Sequence, residues 1–168
     1  MSDLLEVERF NGNYIRLTIE EKDGKTYERI YLRSGVSVII LLPDNKVRFI
    51  QERSYWSNHD GKINTKLVTG YVDDNETPLD AAKRELKSET GLIANKWHPF
   101  HVSNTSGMVH KTQTYFIASD LERGLASPEE SEKIIGYEDL TCKEVKDKVL
   151  SLQFGTTETA FALLKLVS

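Results

Sequence analysis

Gly70-Tyr71-Val72-Asp73-Asp74-Asn75-Glu76, then Thr77-Pro78-Leu79-Asp80-Ala81-Ala82-Lys83, then Arg84-Glu85-Leu86-Lys87-Ser88-Glu89-Thr90-Gly91-Leu92 is the stretch on which the reading of this chain turns. Its middle is written as a helix. Thr77 is a good N-cap, because its hydroxyl can accept an N–H that the first turn leaves unpaired. Pro78 suits the first helical position, and Asp80 stands where the acid of a capping box belongs. Leu79, Ala82 and Leu86 recur at helical spacing as an apolar stripe, and Gly91 is a natural stop. Glu85 and Glu89 lie one turn apart on a separate face of the same helix. Like charges at that spacing repel, and the arrangement makes sense if a cation sits between them. Carboxylate oxygens are hard ligands suited to Mg²⁺ or Mn²⁺. The bland alternative is a solvated helix face on which Lys83, Arg84 and Lys87 balance the pair.

Ahead of this stretch the pattern is that of strands. Tyr14 to Glu20 alternates bulky and polar residues, and Thr26 to Leu32 does so again. Asp23-Gly24 between them is a hairpin signal. Gly35 opens a continuous apolar run, Val36 to Leu42, expected of a strand buried on both faces. Pro43 to Lys46 reads as a turn and Val47 to Gln51 as the returning strand. Beyond the helix, Thr114 to Ala118 reads as a buried strand and Ile134 to Tyr137 as a shorter one. Two helices are predicted at Cys142 to Leu152 and Thr157 to Val167. Strands, a central helix, more strands and terminal helices indicate a mixed α/β domain.

Composition narrows the class. The 168 residues suit one domain, 1–168, and 39 % hydrophobic residues support a packed core. Twenty-two Lys and Arg against 26 Asp and Glu give a formal charge of −4, which argues against a nucleic-acid partner. It leaves room for a small anionic substrate, because local charge can oppose the net sign. The single cysteine, Cys142, fits a reducing compartment. The acidic start, Met1-Ser2-Asp3, and the lack of an apolar run of ~20 residues predict a cytoplasmic protein with no membrane span.

The spacing of the opening stretch is also informative. Glycine, five residues, Glu76, seven residues, Arg84-Glu85-Leu86, then Glu89-x-Gly91-Leu92 resembles the signature of the Nudix hydrolases. One fixed position departs from it: the first of two consecutive acids is Ser88. Within that family the chain looks most like the ADP-ribose pyrophosphatase group of nucleoside-diphosphate-sugar hydrolases. The N-terminal hairpin, the Gln51-Glu52-Arg53 strand end, the lead-in Leu67-Val68-Thr69-Gly70 and the acidic stretch Pro128 to Glu132 carry that further likeness.

The resemblance implies a Nudix fold, an α+β domain whose mixed β-sheet is sandwiched between helices, with an N-terminal β-hairpin. It implies hydrolysis of a pyrophosphate bond in ADP-ribose or another nucleotide sugar, with Mg²⁺ or Mn²⁺ as cofactor. Glu85 and Glu89 become metal ligands with the Thr69 carbonyl and Glu132, and Glu130 the acid that positions or deprotonates the attacking water. Arg29 and Arg53 become phosphate-binding residues, a task their paired donors suit. Glu76 and Arg84 are expected to hold the loop against the helix. A homodimer, with residues 1–34 in its contacts, is expected by the same analogy. Ser88, Ser106 in a turn that lacks a proline, and Lys111 depart from the group's pattern. They motivate the alternative of a degenerate module that binds a nucleotide or partner without cleaving it.

Overall fold

The apolar run that begins at Gly35 lies at the centre of the structure, a computed structural model that describes residues 5–53, 63–125, 134–154 and 156–168. In chain order the strands before the helix are β1 (Leu5–Asn11), β2 (Ile15–Lys22), β3 (Lys25–Leu32), β4 (Gly35–Leu41), β5 (Val47–Arg53), β6 (Ile63–Lys66) and β7 (Val68–Tyr71). Then come α1 (Pro78–Thr90), β8 (Leu92–Thr105), β9 (Val109–Arg123), β10 (Ile134–Leu140), α2 (Cys142–Leu150) and α3 (Thr157–Val167). The described strands form one sheet in the order β1-β2-β3-β9-β4-β5-β10, with β6 beside β5, β7 beside β4 and β8 beside β9. β9 runs parallel to both β3 and β4, while the other pairs are antiparallel, so the sheet is mixed.

The expected hairpin is β2–β3, closed by Asp23 and Gly24 at φ 52° and 71°. Both central residues of this two-residue loop take positive φ, as the twist of paired strands favours. β1 adds a third strand at the edge. β4 is buried along nearly its whole length and its side chains alternate between two cores. Val36, Val38 and Ile40 join Ile50, Val68, Ala81, Ala82, Leu86 and Phe116 beneath α1. Ile39 joins Val47, Phe49, Leu67, Tyr115, Val145, Val149, Ala162 and Leu163 beneath α2 and α3. The sheet is therefore sandwiched between helices, α1 on one face and α2–α3 on the other, as the family resemblance implies. Each fully buried aliphatic side chain contributes about 1.5–3 kcal/mol to this packing.

One irregularity positions the site. β4 and β5 pair through Ile40↔Arg48 and Leu41↔Val47; further along, β4 takes β7 and β5 takes β6. Only Leu67 separates β6 from β7, so the chain passes from one strand to the other within the sheet. This crossing brings Lys66 and Gly70 to the side where α1 packs.

Candidate active site

The loop and helix of the opening stretch form as their residues dictate. The Thr77 hydroxyl accepts the Asp80 N–H at 3.2 Å and donates to the Asp80 carboxylate at 2.6 Å. Gly91 ends α1 at φ 68°, a left-handed conformation that costs glycine little, and its N–H donates to the Lys87 carbonyl. Ala81, Ala82 and Leu86 enter the core, with Leu79 packed at its margin.

Glu85 and Glu89 do not lie on a solvated face. Glu85 is 9 % exposed and Glu89 1 % exposed, which is rare for carboxylates and costly unless charge or hydrogen bonds compensate. The Glu85 carboxyl group lies against Gly70. A Cβ built at residue 70 would stand 1.9 Å from Glu85 Oε1 and 2.4 Å from its Cγ. Glycine at the head of the motif is thus required by the glutamate fifteen residues later. Thr69, the neighbour of Gly70 in β7, pairs with Ser37 of β4.

Cations hold this acidic face together. Arg84 Nη1 donates to Glu85 Oε1 at 2.6 Å. The same guanidinium grips Glu76 through Nε and Nη2, both at 3.0 Å, and Nη2 also donates to the Tyr71 carbonyl at 2.9 Å. Its hydrogen bonds with Arg84 hold the Glu76 carboxyl below the ordinary carboxylate range, while Glu76 and Glu85 push the Arg84 guanidinium still higher. Glu76 and Arg84 therefore join loop to helix. Asn75, just before this pair, turns the loop at φ 66°.

Two further residues belong to the site and were not singled out by the sequence reading. Arg33 donates from Nε to the Val72 carbonyl at 2.9 Å and pairs with Asp73 at 3.2 Å, tying the loop to the end of β3 from the other side. Lys66 pairs with Glu52 at 2.6 Å and stands 4.0 Å from Glu89 Oε1. Neither has a local sequence signal, since each meets its partners only through strand pairing.

The remaining expected residues are distributed unevenly. Arg53 is the last residue of β5, exposed and opposite Ile63, one residue from the Glu52 that holds Lys66. Among the described residues Arg29 finds its partners on the N-terminal strands and the β8–β9 turn. It pairs with Glu20 at 3.3 Å, donates to the Gly107 carbonyl, and lies over the Tyr27 ring. The Tyr14 ring sits 4.9 Å from that of Tyr71, the neighbour of Gly70. Ser88 is half-buried on α1. Glu130 and Glu132 lie outside the described residues.

The donors on this face suit a small oxygen-seeking cation. Mg²⁺ commonly takes one or two protein carboxylates and completes its shell with water and phosphate oxygens. Glu85 and Glu89 supply two hard carboxylates, and the absence of a side chain at Gly70 leaves Glu85 its place. Among the described residues no group of three or more His, Cys, Asp and Glu side chains is arranged to hold a metal. Also among them, no helix is long and apolar enough to cross a membrane.

A mixed sheet between helices, with a glycine-led loop locked by Arg84 onto a helix carrying two buried glutamates, is the architecture of the NUDIX domain. The family's sequence model matches residues 31–156, and the chain belongs to that family. The ADP-ribose pyrophosphatase of Methanocaldococcus jannaschii is 38 % identical over 85 residues, which are 50 % of this chain and 47 % of that protein. The match thus spans about half of the relative's length. In three dimensions the chain is similar to a solved structure described as an ADP compounds hydrolase, at a TM-score of 0.79 and 17 % identity, over 98 % of this chain and 91 % of the other. That likeness establishes the fold.

Proposed function

We propose that this chain hydrolyses the pyrophosphate bond of a nucleoside diphosphate linked to another group, with ADP-ribose or another nucleotide sugar as substrate. The observation that carries the reading is the burial of Glu85 and Glu89 on α1, with Glu85 seated against Gly70. A fold needs only an apolar stripe on this helix; two buried carboxylates oppose folding and call for a function. The partial likeness to an ADP-ribose pyrophosphatase supports the choice of substrate.

Glu85 and Glu89 would hold a divalent cation, Mg²⁺ or Mn²⁺, with the Thr69 carbonyl and Glu132 as further ligands. Such a cation supplies charge neutralisation to the pyrophosphate and makes a bound water more acidic. Arg84 holds Glu85 in place from its anchor on Glu76, and Arg33 keeps the loop from swinging away. Arg53, exposed at the end of β5, offers its paired N–H groups to phosphate oxygens. Glu130 takes the proton of the attacking water, whose oxygen bonds to phosphorus as the bridging P–O bond breaks and the leaving phosphate departs. We assign Arg29 a phosphate contact as well, reached once its bond to Gly107 is given up.

A second reading is favoured by two observations: Ser88 stands where the motif has an acid, and cations already face both glutamates. Under it the domain binds a nucleotide without cleaving it. Purified protein incubated with ADP-ribose, other nucleotide sugars and Mg²⁺ or Mn²⁺ separates the two. Release of AMP that disappears in Glu85→Gln supports the enzyme. Nucleotide binding without turnover, unchanged in Ser88→Glu, supports the binding module.

We also propose that the domain works in the cytoplasm as a homodimer joined through residues 1–34. The exposed edge of β1 offers the surface, since a lone edge strand invites a partner. A single sedimenting species of monomer mass at micromolar concentration would refute the dimer.

A further inference from the structure

Lys66 ends β6 at the point where the sheet meets α1. Its ammonium group lies 2.6 Å from Glu52 Oε2 and 4.0 Å from Glu89 Oε1. The pairing of Ile50 with Lys66, Gln51 with Thr65 and Glu52 with Asn64 fixes where the lysine leaves the sheet. Glu89 is fully covered, whereas the lysine side chain keeps about a third of its surface in solvent. A buried carboxylate pays for lost hydration, and a nearby cation offsets that cost. At 4.0 Å the ammonium acts on Glu89 through Coulomb attraction, while its short contact is with Glu52.

We propose that Lys66 is a positioning residue that sets the divalent-cation affinity of the Glu85–Glu89 face, acting as a resident monovalent counter-ion that an incoming cation displaces from Glu89. This rests on the reading of that face as a divalent-cation site. A divalent ion bound by Glu89 stands close to the ammonium, and like charges a few ångströms apart in a poorly hydrated setting oppose each other strongly. The lysine already makes its short contact with Glu52, so its charge withdraws from Glu89 without becoming unpaired. Arg84 plays a different part on Glu85. It is forked onto Glu76 and bonded to the Tyr71 carbonyl, so it stays fixed, whereas a lysine is a point charge on a flexible stem.

The test is a titration of the folded protein with Mn²⁺ near neutral pH, with free Mn²⁺ read by electron paramagnetic resonance and without any substrate. Wild type, Lys66→Met, Lys66→Gln, Lys66→Arg and Glu89→Gln are compared, each first checked for native thermal unfolding. Removing the ammonium is expected to tighten Mn²⁺ binding by about tenfold or more, a shift of the size that a neighbouring charge exerts on an ionic equilibrium. Lys66→Arg retains the charge and stays close to wild type. Lys66→Gln keeps a polar group beside Glu52 and serves if the methionine disturbs packing. Unchanged or weaker binding in both neutral variants overturns the role of Lys66. If binding still depends on Glu89 in that case, the cation site itself stands. Absence of Mn²⁺ binding in wild type and in both neutral variants overturns both.

Discussion

The two helical layers that cover the sheet solve the same packing problem with different residues. Among the described residues, α2 and α3 bury Val145, Val149, Ala162 and Leu163, an apolar stripe and nothing more. α1 buries Ala81, Ala82 and Leu86 in the same manner, but also Glu85 and Glu89. Apolar burial accounts for the fold on both faces. On the α1 face part of that burial is given to charge, and the surrounding structure compensates through Arg84, Glu76, Lys66 and Glu52. On the function proposed above, the difference separates a layer built for stability from a layer built around a site.

Substitution can drive the two layers apart. Glu85→Gln preserves shape and the hydrogen bond from Arg84, so it should leave stability within about 1 kcal/mol of wild type. It should nevertheless lower metal-dependent turnover by about 10²–10³-fold or more, read as the rate of AMP release. Leu163→Ala on α3 should do the reverse. It opens a cavity in a side chain's place and costs about 2–5 kcal/mol, measured by denaturant unfolding, with activity per folded molecule unchanged.

Gly70→Ala strikes both properties at once. The new methyl overlaps the Glu85 carboxyl group, so that side chain must leave its seat. We expect a loss of about 1–3 kcal/mol from overpacking together with weakened Mn²⁺ binding, which calorimetry checks. Alanine at the exposed Gly107, where added bulk meets open space, is strained only by its φ of 126° and should spare cation binding.

The smallest effect concerns acid. Hydrogen bonds from Arg84 depress the folded-state pKa of Glu76, so its stabilisation is in place above the ordinary carboxylate value of 4.5 and is lost as pH falls through the lower folded value. Wild-type stability should therefore decline on acidification below about that pH, and Glu76→Gln should flatten the decline by about 1 kcal/mol. Thermal unfolding followed between neutral and acidic pH measures the difference.

The helix caps, the hairpin turn and the buried central strand were legible in the chain because each is specified by neighbours. Thr77, Pro78 and Gly91 act within one helix, Asp23-Gly24 within one turn, and the Val36–Leu42 run announces burial by composition alone. β1 and β8 were harder to read. β8 carries Pro99 and a shift of register between Pro99 and His101, and much of its length is exposed, so no clean alternation marks it. The predicted strand Thr114–Ala118 proves to be the most buried part of the fifteen-residue β9, which pairs with β8 from Lys111 to Arg123. In the site, the glutamates were visible from their spacing and the motif. Arg33 and Lys66 were not, because sequence carries no record that Val72 returns to β3 or that β6 lies beside β5. The notion of a solvated face for Glu85 and Glu89 was likewise decided only by the packing of α1 on Gly70.

The central claim is that the buried carboxylates of α1 exist to support hydrolysis. Its most direct test is the release of AMP from ADP-ribose in the presence of Mg²⁺, measured side by side for wild type and Glu89→Gln at matched folded concentration. The account predicts turnover that requires Mg²⁺ in the wild type and falls by at least about 10²-fold in the variant, with its unfolding transition retained. Equal turnover in the two proteins, or turnover indifferent to Mg²⁺, would contradict it.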